Sequence, residues 1–170
     1  MNNLFFREAQ KEDISFLHEY AQNADYKKYV KGILSPNNSK KIEDILNQIK
    51  IIEFRNRSIG FLELDGFNDR NLFINLNIYV VPEFRNSIIV GKVLFTSLKL
   101  TFELYKVHKI SILVYADNIK MNTILKKRGI VLEATLRKRI ADGRDSYKDV
   151  NVYGILETEF RKFYLRQKYS

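Results

Sequence analysis

The sequence predicts an α/β (α+β) fold in which one mixed sheet of about seven strands carries helices on both faces. One observation is the order of the hydrophobic patterns, β-α-α-β-β-β-α-β-α-β-β along the chain. A second is the succession of an apolar strand, a turn and an amphipathic helix between Asn71 and Tyr105. The third is a composition of 45% hydrophobic and 13% aromatic residues, typical of a folded protein. Because 170 residues fit one core, we expect a single domain over residues 1–170.

The first part of the chain predicts one strand and two helices. Leu4–Arg7 has the pattern of a short apolar strand. Asp13 can cap or flank the first helix, and Ser39 can cap the second after a turn at residues 35–38, because short polar side chains accept hydrogen bonds from a first helical turn. The apolar positions at helical spacing are Ile14, Leu17, Tyr20, Ala21 and Ala24 in the first helix, and Ile42, Ile45, Leu46 and Ile49 in the second.

The next segment predicts a β-hairpin. Ile51–Phe54 and Ser58–Leu64 are strands, and Asn56–Arg57 joins them. Residues 65–69 then read as a loop, because they combine Gly, Asn and Asp.

The central stretch predicts a strand that leads into a helix. Leu72–Val81 is rich in β-branched residues, and Pro82–Ser87 interrupts the extended pattern because proline cannot donate to a ladder. The helix face that follows consists of Val90, Val93, Leu94, Leu98, Thr101 and Tyr105. A helix N-terminus after a strand can bind phosphate, because its first N–H groups have no internal acceptor. On this segment alone, an ordinary strand–helix crossover is the favoured interpretation.

The second half predicts a parallel strand, a helix, a hairpin and a terminal helix. Lys109–Tyr115 is the strand, and Asn118 can cap a helix that ends near Arg128, with Gly129 as its C-terminal signal. The hairpin strands are Val131–Ile140 and Tyr147–Leu156, around a turn at residues 142–145. The terminal helix is Glu157–Gln167.

Several classes of protein are excluded by what the sequence lacks. It has no cysteine, so disulfides and thiolate sites are absent, and His18 and His108 stand alone, so we expect no metal site. No run of about 18 apolar residues occurs, and the first residues do not form a signal peptide. We therefore expect a cytoplasmic protein that does not bind or cross a membrane.

The chain carries a formal net charge of +9, and much of it is local. Between Lys120 and Arg139, seven Lys and Arg residues face one acid, Glu133, which gives +6 from this segment. Such a local excess of positive charge is typical of proteins that bind an anionic partner. Nucleic acid, a phosphorylated cofactor and a merely solvated basic face all remain open on charge alone.

Four short motifs resemble the GNAT superfamily of acyl-CoA-dependent N-acetyltransferases. They are Ser58-Ile59-Gly60-Phe61-Leu62, Val80-Val81-Pro82-Glu83-Phe84-Arg85, Asn118 with Leu125 and Gly129-Ile130, and Leu132-Glu133 with Asp149-Val150-Asn151-Val152-Tyr153 and Leu156. Their order and spacing cover nearly the whole chain. The last motif is most similar to the Rim-type branch, whose founding members acetylate the N-termini of ribosomal proteins.

The resemblance implies a mechanism and a set of site residues. Two central strands splay, acetyl-CoA enters the gap as cosubstrate, and a neutral primary amine attacks the thioester directly. The backbone near Val80 and Val81 would pair with pantetheine, and an N–H near Val80 would stabilise the oxyanion. The remaining implied contacts to acetyl-CoA are Arg85, Asn86, Ser87, Ile88, Ile89, Val90, Gly91, Lys92 and Asn118.

The sequence departs from the family at the phosphate loop. Ile88 and Val90 stand where the family has small residues, and Gly91 comes one position late. Because a Cβ obstructs close backbone approach to phosphate, two explanations compete. Either the loop shifts so that Gly91 and Lys92 hold the phosphates, or the chain is an inactive binding or regulatory module.

The catalytic groups are also atypical. Leu125 and Met121 occupy positions where relatives often carry tyrosine or serine. Glu63, or Glu53, could act as base through water, although exposed strand carboxylates are the commoner interpretation. Tyr115 could contact the acceptor or the thiol, although an aromatic residue of a strand usually belongs to the core. The basic side chains Lys126, Lys127 and Arg137 could meet the CoA phosphates or simply be solvated.

We therefore expect an acetyltransferase that acts on a primary amine: a peptide N-terminus, an amino sugar or a small metabolite. The net charge favours an acceptor that bears phosphate or carboxylate. Nucleic acid is disfavoured as a partner, because the basic segment lacks interleaved aromatic residues. A homodimer is left open.

Overall fold

The computed structural model describes residues 4–23, 26, 41–68, 73–142 and 145–168. The strands are β1 Leu4–Glu8, β2 Ile49–Phe54, β3 Arg57–Asn68, β4 Phe73–Val80, β5 Lys109–Tyr115, β6 Val131–Ala141 and β7 Tyr147–Leu156. The α-helices are α1 Ile14–Gln22, α2 Ser87–Tyr105, α3 Ile119–Lys127 and α4 Glu157–Lys168, and 3₁₀ helices are formed by Lys11–Asp13, Ile42–Gln48 and Pro82–Phe84.

The seven strands form one mixed sheet in the order β1-β2-β3-β4-β5-β7-β6. β4 and β5 are parallel, with Phe73 opposite Lys109 and Asn75 opposite Ser111. The pairs β1–β2, β2–β3, β5–β7 and β6–β7 are antiparallel. The sheet confirms the predicted mixed α/β (α+β) fold class.

By contacts the chain divides into two compact units, residues 1–65 with 77–95, and residues 66–76 with 96–170. The boundary between the units cuts β3, β4 and α2. In the first unit, the predicted apolar face of α1, the 3₁₀ helix Ile42–Gln48 and the strands β2 and β3 form the core, which includes Leu17, Ile45, Ile52, Ile59 and Phe61. In the second unit, buried residues from β5, α3 and β7 include Ile110, Leu125, Tyr153 and Ile155.

The helix α2 confirms the predicted periodicity and adds two inward positions. Val93, Leu94, Leu98 and Thr101 are buried, as their spacing predicts. Ser97 and Phe102 are buried as well. The Phe102 ring lies 5.3 Å from that of Phe160 in α4, so the C-terminal half of α2 packs against the terminal helix.

The β2–β3 hairpin turns one residue earlier than predicted. Arg55 and Asn56 occupy the turn with φ of 52° and 59°, which is the left-handed pair that a two-residue hairpin requires. Beyond the turn, β3 runs to Asn68, so the loop predicted at residues 65–69 is wrong over its described part. Gly66 lets the strand continue, because it takes a φ of +72° that other residues avoid.

Asp13 does not cap α1 with its side chain. Its carboxylate accepts from both Arg7 NH groups at 2.7 Å and from the Gln10 N–H at 2.8 Å. The predicted second helix is a 3₁₀ helix, Ile42–Gln48, preceded by Lys41. The predictions for Ala24, Ser39 and the turn at residues 35–38 lie outside the described residues.

Candidate functional site

The C-terminal end of β4 is held tightly against β3. A Cβ added to Gly60 would lie 2.0 Å from the Tyr79 carbonyl oxygen, so only glycine permits this approach. The Val81 N–H donates to the Ile59 carbonyl at 2.8 Å. Because successive residues of a strand direct their N–H groups to opposite sides, the Val80 N–H points away from β3. Val80 and Val81 are both buried.

Arg85 fixes the turn that connects β4 to α2. Its Nε donates to the Val80 carbonyl at 2.6 Å, and its guanidinium lies 5.0 Å from the centroid of the Tyr79 ring. The intervening Pro82–Phe84 segment is a 3₁₀ turn that closes with the Arg85 N–H on the Pro82 carbonyl at 3.1 Å. The backbone that enters α2 is therefore anchored at both ends of this turn.

Asn86 caps α2. Its Oδ1 accepts from the Ile89 N–H at 2.9 Å, and its carbonyl accepts from the Val90 N–H at 3.0 Å. Helix geometry therefore leaves the N–H groups of Asn86, Ser87 and Ile88 without an intrahelical acceptor. These three groups, with the positive end of the helix dipole, are the donors that the geometry offers to an anion.

The residues after the cap lie within the helix. Gly91 and Lys92 are past the first turn, where backbone N–H groups bond to carbonyls four residues earlier. Gly91 is buried, whereas the Lys92 side chain is exposed. The side chain of Ile88 is 68% exposed, so it is not packed into the protein interior. Val90 is half-buried.

Glu63 is fully buried, and the expectation that it would be an exposed strand carboxylate is wrong. Its Oε1 accepts from the Tyr26 hydroxyl at 2.9 Å. The other candidate base, Glu53, accepts from Arg7 Nε at 2.5 Å. Glu53 therefore belongs to an ion-pair cluster with Arg7, whereas Glu63 is a buried carboxylate of the first unit.

Tyr115 ends β5 in the second unit and is 5% exposed. Burial raises the pKa of its phenol above the ordinary value of 10.0, so the hydroxyl is protonated at neutral pH. The Lys148 ammonium lies 5.9 Å from the centroid of the ring. Lys148 is held there by Asp117 at 3.0 Å and Asp142 at 3.1 Å.

Asn118 caps α3, as predicted. Its Oδ1 accepts from the Met121 N–H at 3.2 Å, and its own N–H donates to the Tyr115 carbonyl at 3.0 Å. The structure therefore brings two of the predicted site residues, Tyr115 and Asn118, together at the end of β5. Met121 is half-buried and Leu125 fully buried.

Asn122 is a residue of this region that the sequence interpretation missed. Its Nδ2 donates to the carbonyls of Tyr115 and Asn118 at 2.9 and 2.8 Å. Its Oδ1 accepts from Asn151 Nδ2 at 2.7 Å and from the Tyr153 hydroxyl at 2.8 Å. The sequence offers one indication of this role: Asn122 lies four residues after Asn118 and three before Leu125, so helical spacing puts it on the same face as the buried Leu125.

The described residues contain no group of three or more His, Cys, Asp or Glu that could hold a metal ion. His18 and His108 are both exposed. None of the helices described is both long and apolar enough to cross a membrane.

Comparisons with known proteins give the family. The sequence profile of the acetyltransferase (GNAT) domain matches residues 3–131. A search of the curated proteins finds no match.

The solved structures of similar fold include two acetyltransferases from bacteria. The spermidine N-acetyltransferase from Vibrio cholerae, in complex with CoA and spermine, is 23% identical, with a TM-score of 0.82 over 94% of this chain and 98% of that one. A GNAT-family acetyltransferase from Bacillus anthracis is 22% identical, with a TM-score of 0.72 over 92% of this chain and 96% of that one. With the profile covering most of the sequence, the chain belongs to the GNAT acetyltransferase family.

Proposed function

We propose that this protein transfers the acetyl group of acetyl-CoA to a primary amine. The observation that carries the proposal is the capped N-terminus of α2, which directly follows β4 and offers three backbone N–H groups. A helix N-terminus of this kind binds phosphate through those N–H groups and the helix dipole. Acetyl-CoA carries a pyrophosphate, and the family to which the chain belongs uses acyl-CoA.

The residues present fit acetyl-CoA in two further respects. The Val80 N–H points away from β3, in the direction needed to pair with a ligand or to stabilise an oxyanion. Ile88 is exposed, so its branched side chain does not occupy the interior of the first unit. This favours an active enzyme over the inactive module that the substitutions at Ile88 and Val90 had suggested.

The assignment of individual contacts belongs to the proposal. Val80 and Val81 lie at the reacting end, and Asn86, Ser87 and Ile88 hold the pyrophosphate. The outer contributors are Arg85, Ile89, Val90, Gly91, Lys92 and Asn118. Ile89 and Val90 contribute through packing, because their N–H groups bond to Asn86.

The reaction proceeds by direct attack. The amine nitrogen forms a bond to the thioester carbonyl carbon, and the resulting oxyanion is stabilised by the Val80 N–H. The C–S bond then breaks, and the thiolate leaves readily because a thiol has a pKa of about 8.5. We predict two separate roles: Tyr115 of the second unit as donor of a proton to the sulfur, and Glu63 of the first unit as acceptor of the amine proton through water.

The acceptor is a primary amine of a peptide, an amino sugar or a small metabolite. The Vibrio cholerae enzyme was crystallised with spermine, and this ligand is a finding about that enzyme alone. A net charge of +9 repels a polycation of that kind, so a polyamine is a poor match for this chain. Membership of the Rim-type branch, a single domain over residues 1–170, a cytoplasmic location and a homodimer remain predictions.

Thermal denaturation with acetyl-CoA tests the proposal directly. A ligand that binds only the native state raises the melting temperature, by an amount that grows with concentration over its dissociation constant. We expect a clear rise with millimolar acetyl-CoA and a smaller rise after Asn86→Ala, which removes the cap of α2. Asn56→Ala, in the hairpin turn, is the matched control. An unchanged melting temperature with acetyl-CoA would favour the inactive module.

A further inference from the structure

The basic segment of the second unit has almost no internal neutralisation. Its cations are Lys120, Lys126, Lys127, Arg128, Arg137, Lys138 and Arg139. Within the part of the chain that the structure describes, none of them forms an ion pair with an acidic side chain. The one acid of the segment, Glu133, pairs instead with Lys109 at 2.8 Å. The positive charge is therefore available to a ligand.

Three of these cations are consecutive and lie in an irregular part of β6. The register with β7 shifts between Leu136 and Ile140, so residues 137–139 bulge out of the ladder. All three side chains are exposed. We call Arg137, Lys138 and Arg139 the basic bulge.

Lys138 holds the bulge in an unusual conformation. Its φ is 50°, in the left-handed region that costs a non-glycine residue about 1 kcal/mol. Its backbone N–H donates to Asp149 Oδ1 at 2.8 Å. Asp149 of β7 therefore fixes the backbone of the basic bulge and keeps three neighbouring cations in one place.

The basic bulge lies at the same end of the sheet as Tyr115. Tyr115 is opposite Val150 in the β5–β7 ladder, and Val150 is opposite Leu136 in the β7–β6 ladder. With strands about 4.8 Å apart, the Cα atoms of Tyr115 and Leu136 are roughly 10 Å apart. The basic bulge begins at the next residue, Arg137.

We propose that the basic bulge selects an acceptor amine that also carries a carboxylate or a phosphate. The inference rests on the proposed function, because Tyr115 marks the reacting centre only if the chain transfers acetyl groups. Guanidinium groups bind carboxylate and phosphate through paired, charge-assisted hydrogen bonds. An anionic group on the acceptor would be held by the bulge while its amine lies near the end of β5.

Paired acceptors test the proposal. Glucosamine 6-phosphate and glucosamine differ only in the phosphate, and the C-terminally amidated peptides Ser-Asp-Ala-NH2 and Ser-Asn-Ala-NH2 differ only in a carboxylate. In the pair that the enzyme acetylates faster, we expect kcat/KM to be at least about tenfold higher for the anionic acceptor than for its neutral counterpart. This anionic-to-neutral ratio of kcat/KM should fall as added salt screens the charges. Spermidine is the polycationic comparison, and we expect it to be the poorest acceptor.

Charge reversal locates the effect. The double variant Arg137→Glu/Arg139→Glu should lower the anionic-to-neutral ratio by about tenfold or more, with little change in the KM for acetyl-CoA. The matched control is Lys11→Glu/Lys162→Glu, which makes the same charge change at exposed positions of the 3₁₀ helix Lys11–Asp13 and of α4. We expect this control to keep the wild-type ratio.

Lys138→Gly separates charge from backbone geometry. Glycine adopts a φ of 50° without strain, so the melting temperature should stay the same or rise. The preference for the anionic acceptor should nevertheless fall by about threefold or more, because one cation is lost. A purely conformational role for Lys138 would leave the preference unchanged.

Other outcomes overturn the proposal. A preference for glucosamine or spermidine would do so. The proposal would also be wrong if both variants of the basic bulge kept the wild-type anionic-to-neutral ratio of kcat/KM, or if neither anionic acceptor were acetylated. If the preference survives charge reversal but binding to a labelled single-stranded RNA is lost, the surface binds nucleic acid instead. The melting temperature is measured with and without acetyl-CoA for the wild type and every variant. If the proposed function fails, acetyl-CoA does not raise the melting temperature of the wild type; if only the present proposal fails, that rise remains.

Discussion

The carboxamide oxygen of Asn122 lies 2.8 Å from the hydroxyl of Tyr153, and this hydrogen bond joins α3 to β7 inside the second unit. Tyr153 is fully buried, so its hydroxyl depends on this partner. The amide of the same Asn122 side chain holds the backbone at the end of β5. One residue therefore fixes the strand end where Tyr115 and Asn118 lie.

Asn122→Ala should destabilise the protein by about 2–4 kcal/mol, because it leaves the Tyr153 hydroxyl and the Asn151 side-chain amide without their acceptor. Tyr153→Phe should cost about 1 kcal/mol, since Asn151 still donates to Asn122. Urea denaturation of both variants and of the double variant measures the coupling. Strictly additive effects would show that the two side chains do not depend on each other.

Asn118→Ala should raise the KM for acetyl-CoA if the predicted contact exists. The same change removes the cap of α3, which by itself costs about 1 kcal/mol. Asn118→Asp is the matched control, because aspartate caps as well as asparagine but replaces the amide with a carboxylate. An acetyl-CoA KM that neither variant changes would show that Asn118 has only a capping role.

Tyr115→Phe should lower kcat by about 10²-fold or more, because it removes the proton donor to the leaving thiolate. Stability should change little, since the ring and its packing remain. Burial raises the pKa of this hydroxyl above its ordinary value, so loss of its proton should not reduce wild-type kcat between pH 7 and 9. Thiol release by Tyr115→Phe and by the exposed control Tyr147→Phe measures the effect, and equal rates in the two would exclude Tyr115 as the donor.

Gly60→Ala should destabilise the first unit by about 3 kcal/mol, because the new methyl group would collide with the Tyr79 carbonyl and overpack the strands. Gly129→Ala is the comparison: its Cβ would meet nothing within 4 Å, but its φ is +73°. We expect that variant to lose only about 1 kcal/mol from backbone strain. Similar losses in the two, measured by urea denaturation, would show that the contact between β3 and β4 is less tight than described.

Asp13→Asn should lower the free energy of unfolding at pH 7 by about 1–3 kcal/mol, because Arg7 keeps Glu53 but loses its other carboxylate partner. The hydrogen bonds from Arg7 hold the pKa of Asp13 below its ordinary value of 3.8. The contribution is therefore fully present above pH 3.8 and is lost as the pH falls through the folded-state pKa. The free energies of unfolding of the two proteins should approach each other as the pH falls below 3.8, whereas the exposed control Glu12→Gln should differ little from the wild type at pH 7.

Local patterns predicted most of the architecture. The strands and helices from Phe73 to Leu156 follow from periodicity, proline and caps, because those signals act within a few residues of the chain. The continuation of β3 through Gly66 was missed, because a glycine next to aspartate signals a turn unless the neighbouring strand supplies partners. The order of the motifs predicted the family. The residue types at positions 88 and 90 did not indicate that the Ile88 side chain is exposed and that of Val90 half-buried.

Side-chain networks could not be predicted in the same way. The partner of Glu63 is Tyr26, 37 residues earlier, so no local pattern indicates that this carboxylate is buried. The pairing of Asn122 with Tyr153 spans 31 residues and depends on how α3 packs on β7. Long-range pairs of this kind are fixed by tertiary packing, which single-sequence patterns do not contain.

The irregular course of β6 has a consequence for solubility. β6 is the last strand of the sheet, so one of its sides is a terminal edge onto which a foreign strand could add. Its register breaks between Leu132 and Ala134 and again between Leu136 and Ile140, which leaves no long straight stretch for an incoming chain. Regularising this strand would therefore be expected to promote fibrillar self-association, even with every charge retained.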